Sequence, residues 1–129
     1  MSGRRRISSG GPWEDRYGYS RAIVDGDRCW VSGTTDAGAD GHSLHPHDAG
    51  AQARAALAII GGALEAGGFS LADVVRTRMY VTRPGDIGPV SEAHGDVMRD
   101  VRPASTLVVV ASLVDPSLLV EIEADARRA

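Results

Sequence analysis

The sequence contains no lysine and no asparagine. Without lysine there is no P-loop lysine, no pyridoxal Schiff base and no amine nucleophile. Without asparagine there is no N-glycosylation acceptor. A single cysteine, Cys29, excludes an internal disulfide framework and a thiolate metal cage. No apolar run approaches the ~20 residues needed to cross a bilayer. Arg4, Arg5 and Arg6 have no apolar stretch behind them, so they do not open a signal peptide. Positive charge is in deficit too. All 14 basic residues are arginine, against 17 acidic ones, for a net charge of −3. A dedicated nucleic-acid binder shows the opposite balance. The expectation is a cytoplasmic protein with neither a nucleic-acid nor a membrane partner.

What is present suits one ordinary globular domain. The 129 residues are 43% hydrophobic and 24% charged, enough to remove roughly two-thirds of the unfolded surface from water. Residues 1–16 are rich in Gly, Ser and Arg and read as a flexible tail, with Trp13 able to pin it to the body. Residues 17–129 read as a single domain.

Within that domain the patterning changes period several times. Apolar runs at 19–24 and 29–34 flank Asp25-Gly26-Asp27, a hairpin signal. Residues 35–47 form a loop rich in Gly, Asp and His. Asp48 then stands as a helix N-cap, before an Ala-rich helical stretch that Gly67-Gly68 ends. Residues 74–82 alternate, with Val75, Thr77, Met79 and Val81 on one face and Arg76, Arg78 and Tyr80 on the other. A second helix spans 87–99, and strands follow at 106–111 and 118–124. The order ββαβαββ gives an α+β fold, a mixed sheet with two helices on one face. Two helices leave the other face open. Because Leu107 and Val109 alternate with Val108 and Val110, the late strands are apolar on both sides. A partner is expected there, most simply further copies of the chain.

Four segments carry a family resemblance: Ser32-Gly33, Asp48-Ala49-Gly50-Ala51-Gln52-Ala53-Arg54, Pro103-Ala104-Ser105 and Val120-Glu121-Ile122-Glu123-Ala124. In this order and spacing they resemble the RidA/YjgF family of reactive-intermediate deaminases, over residues 17–126. The resemblance implies a chorismate-mutase-like fold and a homotrimer with small-molecule clefts between subunits. It also implies an enamine or imine deaminase, a hydrolase that releases ammonia and needs no cofactor and no metal. A non-catalytic trimer that binds a small metabolite is the alternative. The ribonuclease and translation-inhibitor activities described for the family form a minor alternative.

The resemblance also assigns residues. Glu121 matches the glutamate that holds the attacking water, and its plain structural reading is a partner for Arg78. Tyr19 matches a tyrosine that closes the cleft. Gly33 matches a position where backbone approaches the ligand. The family's carboxylate-binding arginine lies in a Pro-Ala-Arg-Ser pattern. Here that pattern is Pro103-Ala104-Ser105-Thr106, so Ser105 replaces a bidentate cation with one hydroxyl. Arg78 and Arg102 are the candidates for a relocated anchor. Arg76 and Arg78 read first as cross-strand partners of Glu121 or Glu123, ahead of ligand binding. Ser91 occupies the position of a family asparagine that frames the cleft, and His94 a usually aromatic one. His42, His45 and His47 crowd one loop without a zinc-site spacing. Cys29, beside Trp30 on a strand, reads as core.

Overall fold

The computed structural model describes residues 3–129. Chain order is β1 (Arg5–Ile7), α1 (Pro12–Tyr17), β2 (Ala22–Asp25), β3 (Arg28–Thr34), α2 (Ala49–Ala66), β4 (Val74–Val81), α3 (Ile87–Met98), β5 (Ala104–Val109) and β6 (Val120–Arg127). The six strands form one mixed sheet in the order β1-β2-β3-β6-β4-β5. All neighbours are antiparallel except β4 and β5, which run parallel. α3 lies in the crossover that a parallel pair requires.

The two long helices form where expected. Asp48 caps α2, its Oδ1 accepting from the Ala51 N–H at 3.0 Å. At the other end Gly68 takes φ = 84°, a left-handed turn glycine adopts without steric cost. α2 and α3 pack on each other, and α2 lies over β3 and β6. Leu57, Ile60 and Leu64 of α2 and Val90 and Ala93 of α3 join Val31, Met79, Val81, Ile122 and Ala124 of the sheet in one core. Gln52, fully buried, is hydrogen-bonded at both ends. Its Nε2 donates to the carbonyls of His45 (3.1 Å) and Ser117 (3.0 Å), and its Oε1 accepts from the Leu119 N–H at 2.8 Å. One side chain thus ties the helix start to the loop before it and to the entry of β6. Among the described residues no helix is long and apolar enough to cross a membrane.

Three differences from the sequence reading have physical causes. The amino-terminal segment carries structure among its described residues. Arg5–Ile7 adds an edge strand to β2, with Arg5 Nη2 donating to the Gly67 carbonyl at 2.9 Å. α1 follows, with Pro12 in its first turn and Gly18 at φ = 76° closing it. Its Glu14, buried, accepts from the Ser9 N–H and hydroxyl. Second, β4 does not alternate throughout. Val74 pairs with Ala126 but Arg76 pairs with Asp125, which leaves one extra residue in β4. This bulge turns Val74 into the core and leaves Val75 51% exposed, against the expectation that Val75 faces inward. Third, the middle of the open face is charged rather than apolar. β6 presents Glu121, Glu123 and Asp125 there, while the exposed apolar residues Val108 and Val109 lie on the edge strand β5.

Candidate functional site

β3 is irregular beside its central neighbour. Val31 pairs with Ala124 and Thr34 with Ile122, so β3 has one residue more than β6 over this stretch. Ser32 and Gly33 occupy the irregularity. Ser32 is held by its hydroxyl on the Ser20 carbonyl (2.6 Å) and its N–H on the Arg21 carbonyl (3.0 Å). The Arg21 guanidinium reaches past it and donates to the Gly33 carbonyl.

Against Gly33 lies the Glu121 carboxylate. A Cβ built on Gly33 would fall on its oxygen and 2.9 Å from its Cδ. This carboxylate forms no hydrogen bond or ion pair among the described residues. Burial raises its pKa, nearby Arg21 pulls it down, and neighbouring Glu123 adds to the rise, for a net shift upward. A carboxylate so placed binds a proton more readily than one in water and keeps its lone pairs free.

Glu121, Gly33, Arg21 and Tyr19 line a cleft of about 1080 Å³. α1 contributes Trp13 and Tyr17 to it, and the connection before β6 contributes Asp115. Tyr19 is 42% exposed. Tyr19, Gly33 and Glu121, three residues that the resemblance singles out, therefore meet in one place.

The other candidates lie elsewhere. Arg78 is engaged on the open face by Glu123 and Asp125, both at 3.4 Å. Glu123 also accepts from the Tyr80 hydroxyl, which pushes the Tyr80 pKa up. Cross-strand register explains the choice: Arg78 lies opposite Glu123, whereas Glu121 lies opposite Tyr80. Ser105 joins a different group. Buried Thr77 donates to Ser105 Oγ at 2.9 Å and bonds His94 Nε2 at 2.8 Å. Thr77 belongs to the core side of β4, so this trio lies on the helix-covered side, away from Glu121 in the same chain. Burial lowers the His94 pKa. Ser91 is exposed on α3, one turn before His94. Arg102 is exposed just after α3, at φ = 53°.

The histidine loop is fastened by separate carboxylates. His45 Nδ1 meets buried Asp36 at 2.9 Å, and His42 Nδ1 meets Asp115 at 3.1 Å. The Ser117 hydroxyl and N–H, followed by His42, hold the Asp115 pKa down to about 2. Among the described residues no group of three or more His, Cys, Asp or Glu is placed to hold a metal ion. Cys29 is buried in the core, and burial pushes its thiol pKa up.

Sequence reasoning missed Arg21, Tyr17 and Asp115 as cleft residues. Arg21 had a signal available, since it follows Tyr19 by two residues at the entry of the first strand of the hairpin. Asp115 had none, because its position depends on the path of a loop.

Residues 14–128 match the family model described as endoribonuclease L-PSP. An uncharacterised protein of Streptomyces coelicolor is 36% identical over 125 residues, covering 96% of this chain and 92% of that one. A RutC family protein of Pyrococcus horikoshii is 31% identical over 82% of this chain and 83% of its own length. Among solved structures, Rv2704 of Mycobacterium tuberculosis, a member of the YjgF/YER057c/UK114 family, superposes with a TM-score of 0.88. It shares 44% identity over 98% of this chain and all of its own.

Proposed function

Because the chain belongs to the YjgF/RidA family, we propose that it hydrolyses imines and enamines in clefts completed between the subunits of a homotrimer. One observation carries the reading. Glu121 is partly buried, has its pKa raised, keeps its carboxylate free of hydrogen bonds and ion pairs among the described residues, and opens onto a cleft. A structural carboxylate at this position would be expected to be paired, as neighbouring Glu123 is.

The chemistry follows from that placement. The Glu121 carboxylate takes a proton from a water molecule as its oxygen adds to the imine carbon. A C–O bond forms, the C=N π electrons move to nitrogen, and Glu121 delivers the proton it took to that nitrogen, leaving a carbinolamine. Glu121 then takes the hydroxyl proton and passes it to the nitrogen, the C–N bond breaks, ammonia leaves and a carbonyl remains. A carboxyl with raised proton affinity serves both steps better than an ordinary one. Gly33 leaves room for the carboxylate, and Tyr19 with the α1 aromatics limits bulk water.

The trimer is supported by the open sheet face and by the exposed Val108, Val109 and Val114. It is also supported by the separation of the Ser105–Thr77–His94 group from Glu121 within one chain. A second copy is the simplest means of bringing such groups to one cleft. Sedimentation at micromolar concentration should give three times the chain mass; a monomer would remove the inter-subunit cleft.

The activity is tested with imines generated in situ by flavin oxidases from a panel of amino acids and amines, with semicarbazide trapping what is not hydrolysed. Wild-type protein should suppress trapping for at least one imine, and Glu121→Ala should not. Suppression by neither, or equally by both, would overturn the reading. A phosphodiester substrate is disfavoured by charge, since four carboxylates and one guanidinium line the cleft among the described residues.

A further inference from the structure

The lining of the cleft restricts what can enter it. Trp13 and Tyr17 stack with ring centroids 5.9 Å apart and planes 15° from parallel. With Tyr19 they place three aromatic rings in one cleft, 42%, 62% and 42% exposed in that order. The first two are fixed by α1 rather than loosely tethered: Pro12 starts the helix, Gly18 ends it, and Ser9 ties down its Glu14. Planar, exposed faces of this kind bind planar groups and cations.

Charge points the same way. Glu14, Asp40, Asp115 and Glu121 line the cleft, and Arg21 is the one arginine among its described residues. Arg21 spends its Nη2 on the Gly33 carbonyl, and its buried Nε has no partner among the described residues. Ser105 gives this chain's cleft no substitute, since it bonds Thr77 on the other side of the sheet. From this chain, a substrate carboxylate would therefore meet four acidic side chains and a single guanidinium already bonded at Nη2, without the two open nitrogens of a bidentate fork. A protonated imine nitrogen would meet the open Glu121 carboxylate and ring faces, with Glu14, Asp40 and Asp115, each hydrogen-bonded within the chain, adding negative charge around it.

Resting on the imine-hydrolase reading, we propose that the substrates are aryl imines without a carboxylate, taken as iminium cations. The reaction that must supply them is the oxidation of arylalkylamines, in which the oxidase releases an imine before water reaches it. Hydrolysis here is redox-neutral: ArC(R)=NH₂⁺ and water give ArC(R)=O and NH₄⁺, one C–O bond forming as the C–N bond breaks.

A matched pair isolates the carboxylate. Acetophenone imine, from 1-phenylethylamine, differs from the imine of phenylglycine only by methyl in place of carboxylate. The protein should suppress semicarbazide trapping of the first at least tenfold more efficiently than of the second. Trp13→Ala should raise KM for acetophenone imine at least fivefold. A binding arm needs no turnover. Of the two tryptophans, Trp30 lines a separate groove with Arg4, Ile23 and Asp25, so Trp30→Phe leaves Trp13 as the sole tryptophan, excited selectively over the tyrosines at the red edge of the absorption band. Acetophenone should quench it at concentrations where benzoylformate, the carboxylate-bearing product, does not. Equal or better handling of phenylglycine imine, or equal quenching by benzoylformate, would overturn the substrate class and leave imine hydrolysis standing. Absence of Glu121-dependent hydrolysis across the whole amino-acid and amine panel would remove the underlying reading, and this inference with it.

Discussion

The carboxylate of Glu121 occupies the space that a side chain at Gly33 would fill, its Cδ 2.9 Å from the position of an added Cβ. The two residues come from adjacent strands, and an irregularity in β3 brings them together. Gly33→Ala therefore displaces the carboxylate rather than the backbone. Displacement of a reacting group by ~1 Å costs on the order of a hundredfold in rate. Imine hydrolysis by Gly33→Ala should fall by about that factor, while far-ultraviolet circular dichroism and the unfolding midpoint stay close to wild type. A variant that unfolds early, or one that retains full activity, would contradict this.

Glu121 acts as a base in its ionised form, and its pKa is raised by burial. Activity should therefore fall on the acid side with an apparent pKa above 4.5, the ordinary value for a glutamate. A profile of kcat/KM between pH 4 and 8 reads this directly. An acid limb centred at or below the ordinary value would mean that Glu121 is not the titrating group.

Gln52 Oε1 accepts from the Leu119 N–H at 2.8 Å. Gln52→Ala leaves that buried donor unmatched and frees the carbonyls of His45 and Ser117. A single orphaned buried group costs about 1–3 kcal/mol. Urea unfolding of Gln52→Ala should show a loss at or above the top of that range, with an unchanged slope. A loss below about 1 kcal/mol would show that water replaces the amide.

Two histidines should respond to pH with opposite signs. The His42 pKa is raised above 6.5 by its hydrogen bond to Asp115. Its contribution is complete below pH 6.5 and is lost as pH rises through the folded value. His94 is lowered from 6.5 by burial, so the unfolded chain takes up protons first and stability falls as pH drops below 6.5. Asp115, at about 2 in the folded state against 3.8 ordinarily, loses its contribution only in strong acid. Amide exchange in residues 35–47 should accelerate between pH 6 and 8, after correction for intrinsic rates, and His42→Ala should abolish that change. Histidine resonances followed by NMR should titrate on opposite sides of 6.5.

Thr77 has no exposed surface and bridges His94 to Ser105. Thr77→Val keeps the shape and removes the bridge. It should destabilise the fold by about 1–3 kcal/mol in chemical denaturation, and shift the His94 titration because its Nε2 loses a partner. An unshifted titration would mean that the contact is not made in solution.

Much of this was legible in the residues. Asp48, Gly67-Gly68 and the 2-residue and 3.6-residue periods marked both long helices and most strands, because each rests on local backbone preference. Tyr19, Gly33 and Glu121 were found through short motifs whose spacing the strands preserve. What escaped depends on neighbours distant in sequence. The β4 bulge at Val75 exists only relative to β6, so an alternating run could not reveal it. Arg78 chose Glu123 over Glu121 by register, which the sequence left open. β1 and α1 come from a Gly- and Ser-rich segment with almost nothing apolar. Their bonds, Arg5 to Gly67 and Glu14 to Ser9 among them, leave no periodic trace.

The sheet order sets a constraint on how the chain reaches its native state. β6 is the last strand in sequence, yet it lies between β3 and β4. Until residues 120–127 arrive, the strands can form only two separate pieces, β1-β2-β3 and β4-β5. The contacts that join them span up to about a hundred residues, as Arg28 opposite Arg127 does. Closing such long loops slows folding and prolongs exposure of unpaired edges. During synthesis both inner edges wait for the same strand, and Glu121 arrives on it. The cleft and the sheet are thus completed in a single late event, with no stage at which the site exists on a half-built scaffold.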